Sequence, residues 1–219
     1  MRSVDYTMRM KNLLKKEKNE SAASNNQKNN NNDSNVFMSL LNSKGIKIGT
    51  ARFITHSALI AAAYAALTIG LAPISFGQQQ VRIAEALAIL PAFTPAAIPG
   101  LFIGCAIANT VSFMGLPDLI FGSLATLISA QLTYMIAKAL STAERGVLLQ
   151  AALLPLPAVV VNTFVIGAML SIFFNISFWL AAVGVLTGQA LSCYGLGVPL
   201  YFLLRESMRR AGARHAKAK

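Results

Sequence analysis

The stretch between residues 53 and 204 contains only six charged side chains in 152 residues. The interior of a bilayer accounts for such a composition, because it offers no solvent to a charge and no partner to an unpaired backbone group. Two of the charges, Arg82 and Glu85, lie three residues apart within an apolar run. A charge there costs about 2.5–3.5 kcal/mol on insertion scales, so the retained pair predicts a functional site. The alternative is that the two side chains only neutralise each other one helical turn apart.

The basic residues are concentrated at the two ends of the chain. Of 19 lysines and arginines, ten lie in residues 1–52 and six in residues 205–219. Basic flanks around an apolar body fit the positive-inside rule better than nucleic-acid binding, and anionic lipid headgroups are sufficient partners for them. We therefore predict a protein of the lipid bilayer with no nucleic-acid partner. Cys105 and Cys193 fall in apolar stretches and are expected to be buried thiols rather than a disulfide.

The predicted fold class is an all-α membrane protein with six transmembrane helices, both termini cytoplasmic and a short second helix. We predict three regions: a disordered basic, Asn-rich cytoplasmic arm at residues 1–49, a six-helix membrane domain at residues 50–205, and a basic cytoplasmic tail at residues 206–219. We expect spans over residues 53–71, 81–90, 96–113, 119–137, 147–174 and 178–204, the fifth interrupted at Pro155 and Pro157. We expect a turn at residues 91–99, and outer segments without Lys or Arg at residues 73–80, 115–118 and 175–177.

Alanines recur along the first predicted span. They stand at Ala58, Ala62 and Ala66, with Ala61 and Ala65 beside them. Small side chains spaced by four residues make a smooth strip on which another helix packs closely. The residues alone leave open whether that helix belongs to this chain or to a partner protein.

The sequence gives little support for catalysis. Ser123 as a nucleophile would need a base, and the only histidines, His56 and His215, lie at the inner end of the first span and in the tail. The sequence shows no metal-ligand spacing and no glycine-rich phosphate loop followed by Lys. We therefore predict that the protein is not an enzyme and uses no metal or cofactor.

Polar side chains at membrane depth are few. A single Asn or Gln there usually makes one interhelical hydrogen bond. Combined with an acid and a base, the set predicts a pocket for a small ligand rich in donors and acceptors, with Phe113 and Phe178 as additional stacking faces. The candidate substrate-binding residues are Phe76, Gln80, Arg82, Glu85, Asn109, Asn162, Gln189 and Tyr194.

Several motifs in order resemble those of the QueT family. They are PISFG at residues 73–77 followed by QVRIAEAL at 80–87, AIPGLFIGC at 97–105 with Ala108-Asn109, DLIFGSLATL at 118–127, and CYGLGVPL at 193–200. The resemblance covers about residues 58 to 204 and excludes the Asn-rich arm. Members of this family are substrate-binding components of energy-coupling factor transporters, with queuosine precursors as the assigned substrate class.

The resemblance implies a six-helix fold in a bacterial-type cell membrane, with an outward-facing pocket, a transmembrane coupling subunit and two ATPase subunits as partners. It also implies that the alanine strip docks on the coupling subunit. A queuosine precursor is a deazaguanine, and a carboxylate matches the two adjacent N–H donors of a guanine edge, which assigns Glu85 to that edge. Arg82 would donate to the carbonyl oxygen of the base or hold Glu85. Gln189 stands where the family often has an acid, which favours a neutral precursor over one with a cationic aminomethyl group.

Other functions remain open at this stage. An autonomous proton-coupled carrier would titrate Glu85 beside Arg82, although the sequence lacks the two similar halves with paired broken helices that many carriers show. A substrate-binding component for a different vitamin-like ligand would use the same residues. The sequence gives the least support to a third hypothesis, in which the chain is a membrane enzyme or a purely structural subunit.

Overall fold

The computed structural model describes residues 50–75, 81–142 and 146–217. Every regular element in these residues is helical, which confirms the predicted all-α class for this part of the chain. The predicted arm, residues 1–49, lies outside the described residues. The elements are α1 (Thr50–Gly70), α2 (Ala72–Ser75), a 3₁₀ helix (Ile83–Ala92), α3 (Ala97–Asn109), a first π-segment (Asp118–Gly122), α4 (Ser123–Thr142), α5 (Val147–Leu153), α6 (Leu156–Phe174), α7 (Phe178–Ala190), a second π-segment (Leu191–Gly197) and α8 (Val198–Lys217).

Within the described residues, four helical stretches are long and apolar enough to cross a membrane, and two apolar helices are shorter. The long stretches are Ala51–Gly70, Asp118–Ser141, Val147–Phe174 and Phe178–Ala211, and the short helices are Ile83–Ala92 and Ala97–Asn109. The short second helix was expected. The third predicted span was too long, because α3 ends at Asn109 and the chain then turns, with Gly115 in the left-handed region at φ 64°. The six-span count and the side of the termini stay predictions.

The 3₁₀ helix lies at the centre of the protein. It packs against α4 and the second π-segment, with further contacts to α1, α3 and α8. Four of its buried residues are alanines, and their small side chains allow these neighbours to approach it closely. Pro91 lies inside this helix, so the turn predicted from residue 91 onward begins too early. Because a tight helix buried on several sides has little room to move, it is a rigid support for Glu85 in its first turn.

The contact between α1 and α3 divides the predicted alanine strip. Ala61 and Ala65 are buried, whereas Ala58, Ala62 and Ala66 are exposed on another face of α1. Gly104 of α3 makes the close approach possible: a Cβ added there would lie 2.7 Å from the carbonyl oxygen of Ala61. Packing within the chain and a free small-residue surface therefore both exist, on different faces of one helix.

Replacing Gly104 with alanine is expected to destabilise the α1–α3 contact. The new Cβ would overlap the backbone of Ala61, and overpacking of this kind costs about 1–3 kcal/mol. Thermal unfolding of the purified protein in detergent measures the effect. Gly195→Ala is the matched control, since its nearest atom would be at an ordinary 3.7 Å. Equal stability of the two variants would show that α1 and α3 are not packed as described.

The second half of the chain follows the prediction more closely. The fifth span runs from Val147 to Phe174 and is broken at Pro155, as expected, into α5 and α6. Asn175 ends α6 in the left-handed conformation, with φ 53°, which confirms the predicted turn. The last helix extends well beyond the predicted end at residue 204. In this added part, Glu206 makes ion pairs with Arg209 and Arg210 at 2.8 and 2.7 Å.

Candidate functional site

Five of the predicted binding residues are buried around the 3₁₀ helix. Arg82 precedes that helix and Glu85 lies in its first turn, while the others come from α3, α6 and α7. Their exposed fractions are at most 3%. These five residues, which we call the cluster, are Arg82, Glu85, Asn109, Asn162 and Gln189.

Arg82 is paired with an acid from a different part of the fold. Its Nη2 donates to both carboxylate oxygens of Asp118, each at 3.0 Å, and the Asp118 side chain is fully buried. The prediction of an exposed polar turn ending at Asp118 is therefore wrong for this residue, which opens the first π-segment instead. Arg82 thus has an anionic partner other than Glu85, and the alternative in which the two only neutralise each other does not describe the site.

Asn109 bonds the main chain of Asp118, and Gly122 leaves space for both residues. The Nδ2 atom of Asn109 donates to the main-chain oxygen of Asp118 at 2.8 Å. A Cβ added at Gly122 would lie 2.6 Å from that Nδ2 and 3.0 Å from the Asp118 carboxylate, so only glycine leaves room for both. A π-segment inserts an extra residue into a helical turn and is frequent at functional sites. Here it directs Asp118 inward while Gly122 keeps the space open.

Glu85 is positioned by uncharged donors. The Tyr64 hydroxyl of α1 donates to Oε1 at 2.6 Å, and Nδ2 of Asn162 lies 3.5 Å from Oε2, at the long limit of a hydrogen bond. Tyr64 is fully buried and was missed by the sequence analysis. From the second π-segment, Cys193 Sγ lies 3.6 Å from both the main-chain oxygen of Glu85 and Oε1 of Gln189. The carboxylate thus has two uncharged donors, and Cys193 contacts the main chain of the same residue.

The other predicted residues that the structure describes have different hydrogen-bond and ring partners. The Tyr194 hydroxyl donates to the main-chain oxygen of Ala152 in α5 at 2.9 Å. Phe113 is 58% exposed and contacts the rings of Phe173 and Phe174, while Phe178 stacks on Phe164. The role of Phe113 and Phe178 as stacking faces for a ligand stays a prediction. Phe76 and Gln80 lie outside the described residues.

The cluster combines buried charged groups with an unsatisfied hydrogen-bond acceptor. In the described part of the chain, Oδ1 of Asn109 is a buried acceptor without a hydrogen-bond partner. Its Nδ2 is committed to Asp118, so the amide orientation is fixed and the acceptor stays available. Glu85 adds a carboxylate with acceptor capacity beyond its two neutral donors. Together these groups fit a small solute that supplies N–H donors.

Comparison with known proteins identifies the family. Neither a curated protein nor a solved structure matches the chain significantly. A family model described as QueT transporter matches residues 54–206, which is more than half of the chain and includes every residue of the cluster. The resemblance predicted from the motifs is thereby confirmed, and several long apolar helices agree with a multi-pass protein of the cell membrane. The chain belongs to the QueT transporter family, a family of membrane transporters for small substrates.

Proposed function

We propose that this chain is the substrate-binding component of an energy-coupling factor transporter and that its substrate is a queuosine precursor, a deazaguanine-type base. Family membership supports transport of a small substrate. The observation that carries the finer proposal is the buried Glu85 carboxylate, oriented by Tyr64 and Asn162. A carboxylate held in one orientation matches the adjacent N–H donors of a guanine edge.

The other polar groups complete the proposed site. Asn109 Oδ1 accepts a further donor from the ligand, because it has no other partner in the described part of the chain. Gln189 contributes through its side-chain amide beside Cys193. Arg82 acts through the pair with Asp118, which keeps its guanidinium near the ligand without an unbalanced charge. Phe76 and Gln80 stay predictions from the sequence.

Energy is supplied by partner subunits in this proposal. The sequence has no phosphate-binding loop of its own, so a coupling subunit and two ATPase subunits drive import. The docking face is the exposed part of the alanine strip, Ala58, Ala62 and Ala66. Of the four long spans, α1 buries the smallest share of its apolar stretch inside the protein, 28% against 39–44%, which leaves a wide face for another helix. Ala61 and Ala65 are left out of this face because they pack within the chain.

Replacing Glu85 with glutamine is expected to weaken binding of a deazaguanine precursor. Losing a charge-assisted contact of this kind costs about 1–3 kcal/mol, roughly a fivefold to 150-fold loss of affinity. Calorimetry on the purified protein measures it, with Glu206→Gln as a matched control at a partly exposed acid far along α8. Unchanged affinity in Glu85→Gln would remove this residue from the site. Mass spectrometry of a co-purified ligand identifies the substrate independently.

A second candidate is an autonomous proton-coupled carrier, favoured by the same buried acid. Among the described residues no basic side chain makes an ion pair with Glu85, so a proton is one way to neutralise it. Liposomes that contain only this protein separate the two functions. Uptake driven by a pH step would support the carrier, and uptake that requires the ATPase subunits would support the proposed function.

A further inference from the structure

The break in the fifth span leaves main-chain carbonyl groups without their helical donors. Pro155 has no N–H, and neither has the second proline two residues later, so the helical hydrogen-bond pattern is interrupted between α5 and α6. Instead, the Tyr194 hydroxyl donates to the main-chain oxygen of Ala152 at 2.9 Å. The Thr133 hydroxyl of α4 donates to the main-chain oxygen of Leu154 at 3.2 Å. Because a carbonyl group without a partner is costly in a bilayer, these two bonds stabilise the break.

The short helix α5 is anchored less firmly than α6. It has seven residues, of which two, Gln150 and Ala151, are buried, whereas nine of the 19 residues of α6 are buried. Leu148 is 80% exposed. A helix this short is not stable by itself, and a segment with few buried apolar contacts opens more easily than its surroundings. The position of α5 therefore depends strongly on hydrogen bonds from other elements, among them the bond from Tyr201 of α8 to Oε1 of Gln150 at 2.7 Å.

Tyr194 and α5 both border the 3₁₀ helix that carries Glu85. Tyr194 lies in the second π-segment, where the adjacent Cys193 has its Sγ 3.6 Å from the main-chain oxygen of Glu85. Ala151 of α5 belongs to one apolar cluster with Ile89, which lies near the end of the 3₁₀ helix. A movement of α5 would therefore remove packing from the same helix that positions the Glu85 carboxylate.

We propose that α5 is a movable segment, hinged at Pro155 and held closed by the Tyr194 hydroxyl, and that its opening loosens the 3₁₀ helix. The proposal goes beyond the transport function and does not depend on which solute binds. When the hydroxyl is removed, the main-chain oxygen of Ala152 loses its donor, so the closed position of α5 is stabilised less. In contrast, α6 stays in place because its own buried residues anchor it.

Hydrogen–deuterium exchange on the full chain in mixed micelles tests the hinge. Tyr194→Phe keeps the ring and removes the hydroxyl. Exchange of the amides in residues 147–153 is then expected to become about fivefold faster, the factor that corresponds to the net contribution of one typical hydrogen bond. Exchange in residues 83–92 should also increase, whereas exchange in residues 160–174 of α6 should not change. Tyr134→Phe is the matched control, because this tyrosine of α4 is also partly buried, and it should leave all three regions unchanged.

Replacing both prolines separates the hinge from a general loosening of the protein. The double variant Pro155→Ala and Pro157→Ala allows one continuous helix, in which the N–H of Leu156 donates to Ala152 in place of the tyrosine. In that background Tyr194→Phe should no longer change exchange in α5. An increase there as large as in the unmodified chain would overturn the proposal. Unchanged exchange in the single Tyr194→Phe variant, or an equal increase in α6, would overturn it without any need for the proline variant to fold.

Discussion

Replacing Asp118 with asparagine is expected to lower the free energy of unfolding by about 3–5 kcal/mol, the usual cost of removing one partner of a buried ion pair. Asparagine has nearly the same shape, so the change removes charge rather than volume. Arg82 would stay 97% buried and lose the carboxylate that contacts its Nη2 at 3.0 Å. Denaturant titration in mixed micelles, followed by tryptophan fluorescence from Trp179, measures the loss.

Two further variants show whether charge is the cause. The double variant Arg82→Met and Asp118→Asn removes the unbalanced cation, and we expect it to recover much of the lost stability, because a buried pair is often replaceable as a whole. Arg209→Ala breaks an exposed pair with Glu206, and we expect no measurable change there. A single Asp118→Asn variant as stable as the unmodified protein would contradict the pairing.

Replacing Ala62 with tryptophan is expected to abolish co-purification with the coupling subunit while ligand affinity stays unchanged. Ala62 is the middle residue of the exposed alanine face, and a large ring there would hold a partner helix away from α1. Tyr64 points to the buried side of the same helix, where it contacts Glu85, so the ligand site is not touched by the substitution. Affinity purification of the co-expressed complex, with calorimetry on the isolated chain, checks both parts.

Ala63 provides a matched control on the same helix. It is also exposed, but it lies between Leu59 and Leu67 at four-residue spacing, and both leucines are exposed and large. That face is suited to lipid rather than to close helix packing, so Ala63→Trp should keep the complex. Survival of the complex in Ala62→Trp would show that the exposed alanines are not the docking face.

The sequence predicted five of the cluster residues because polar groups are rare in an apolar chain and each one stands out. It missed Tyr64, whose ring looks like an ordinary packing residue until its hydroxyl is found 2.6 Å from Glu85. It misplaced Asp118, since the glycine and proline before it indicate a solvent-exposed turn. It also included Tyr194, which lies beside Cys193 in the second π-segment and donates its hydroxyl to the main-chain oxygen of Ala152.

Helix ends and helix faces, too, were only partly predictable from the sequence. Hydropathy located the apolar runs but not the end of α3 at Asn109, where the next residues, Thr110 and Val111, bond three positions back instead of four. Likewise, the four-residue alanine spacing was visible in the sequence. Which alanines are buried depended on where Gly104 allows α3 to approach.

Composition and the order of residues along the chain were enough to predict a membrane protein, the regions where its charged groups are concentrated, and its family. The tertiary structure decided the pairing: Arg82 meets an acid 36 positions later, and Glu85 is held by residues 21 positions before and 77 positions after it. Electrostatic energy depends on distances in space rather than along the chain. For that reason only the folded helices show which acid contacts the arginine and which donors contact the glutamate.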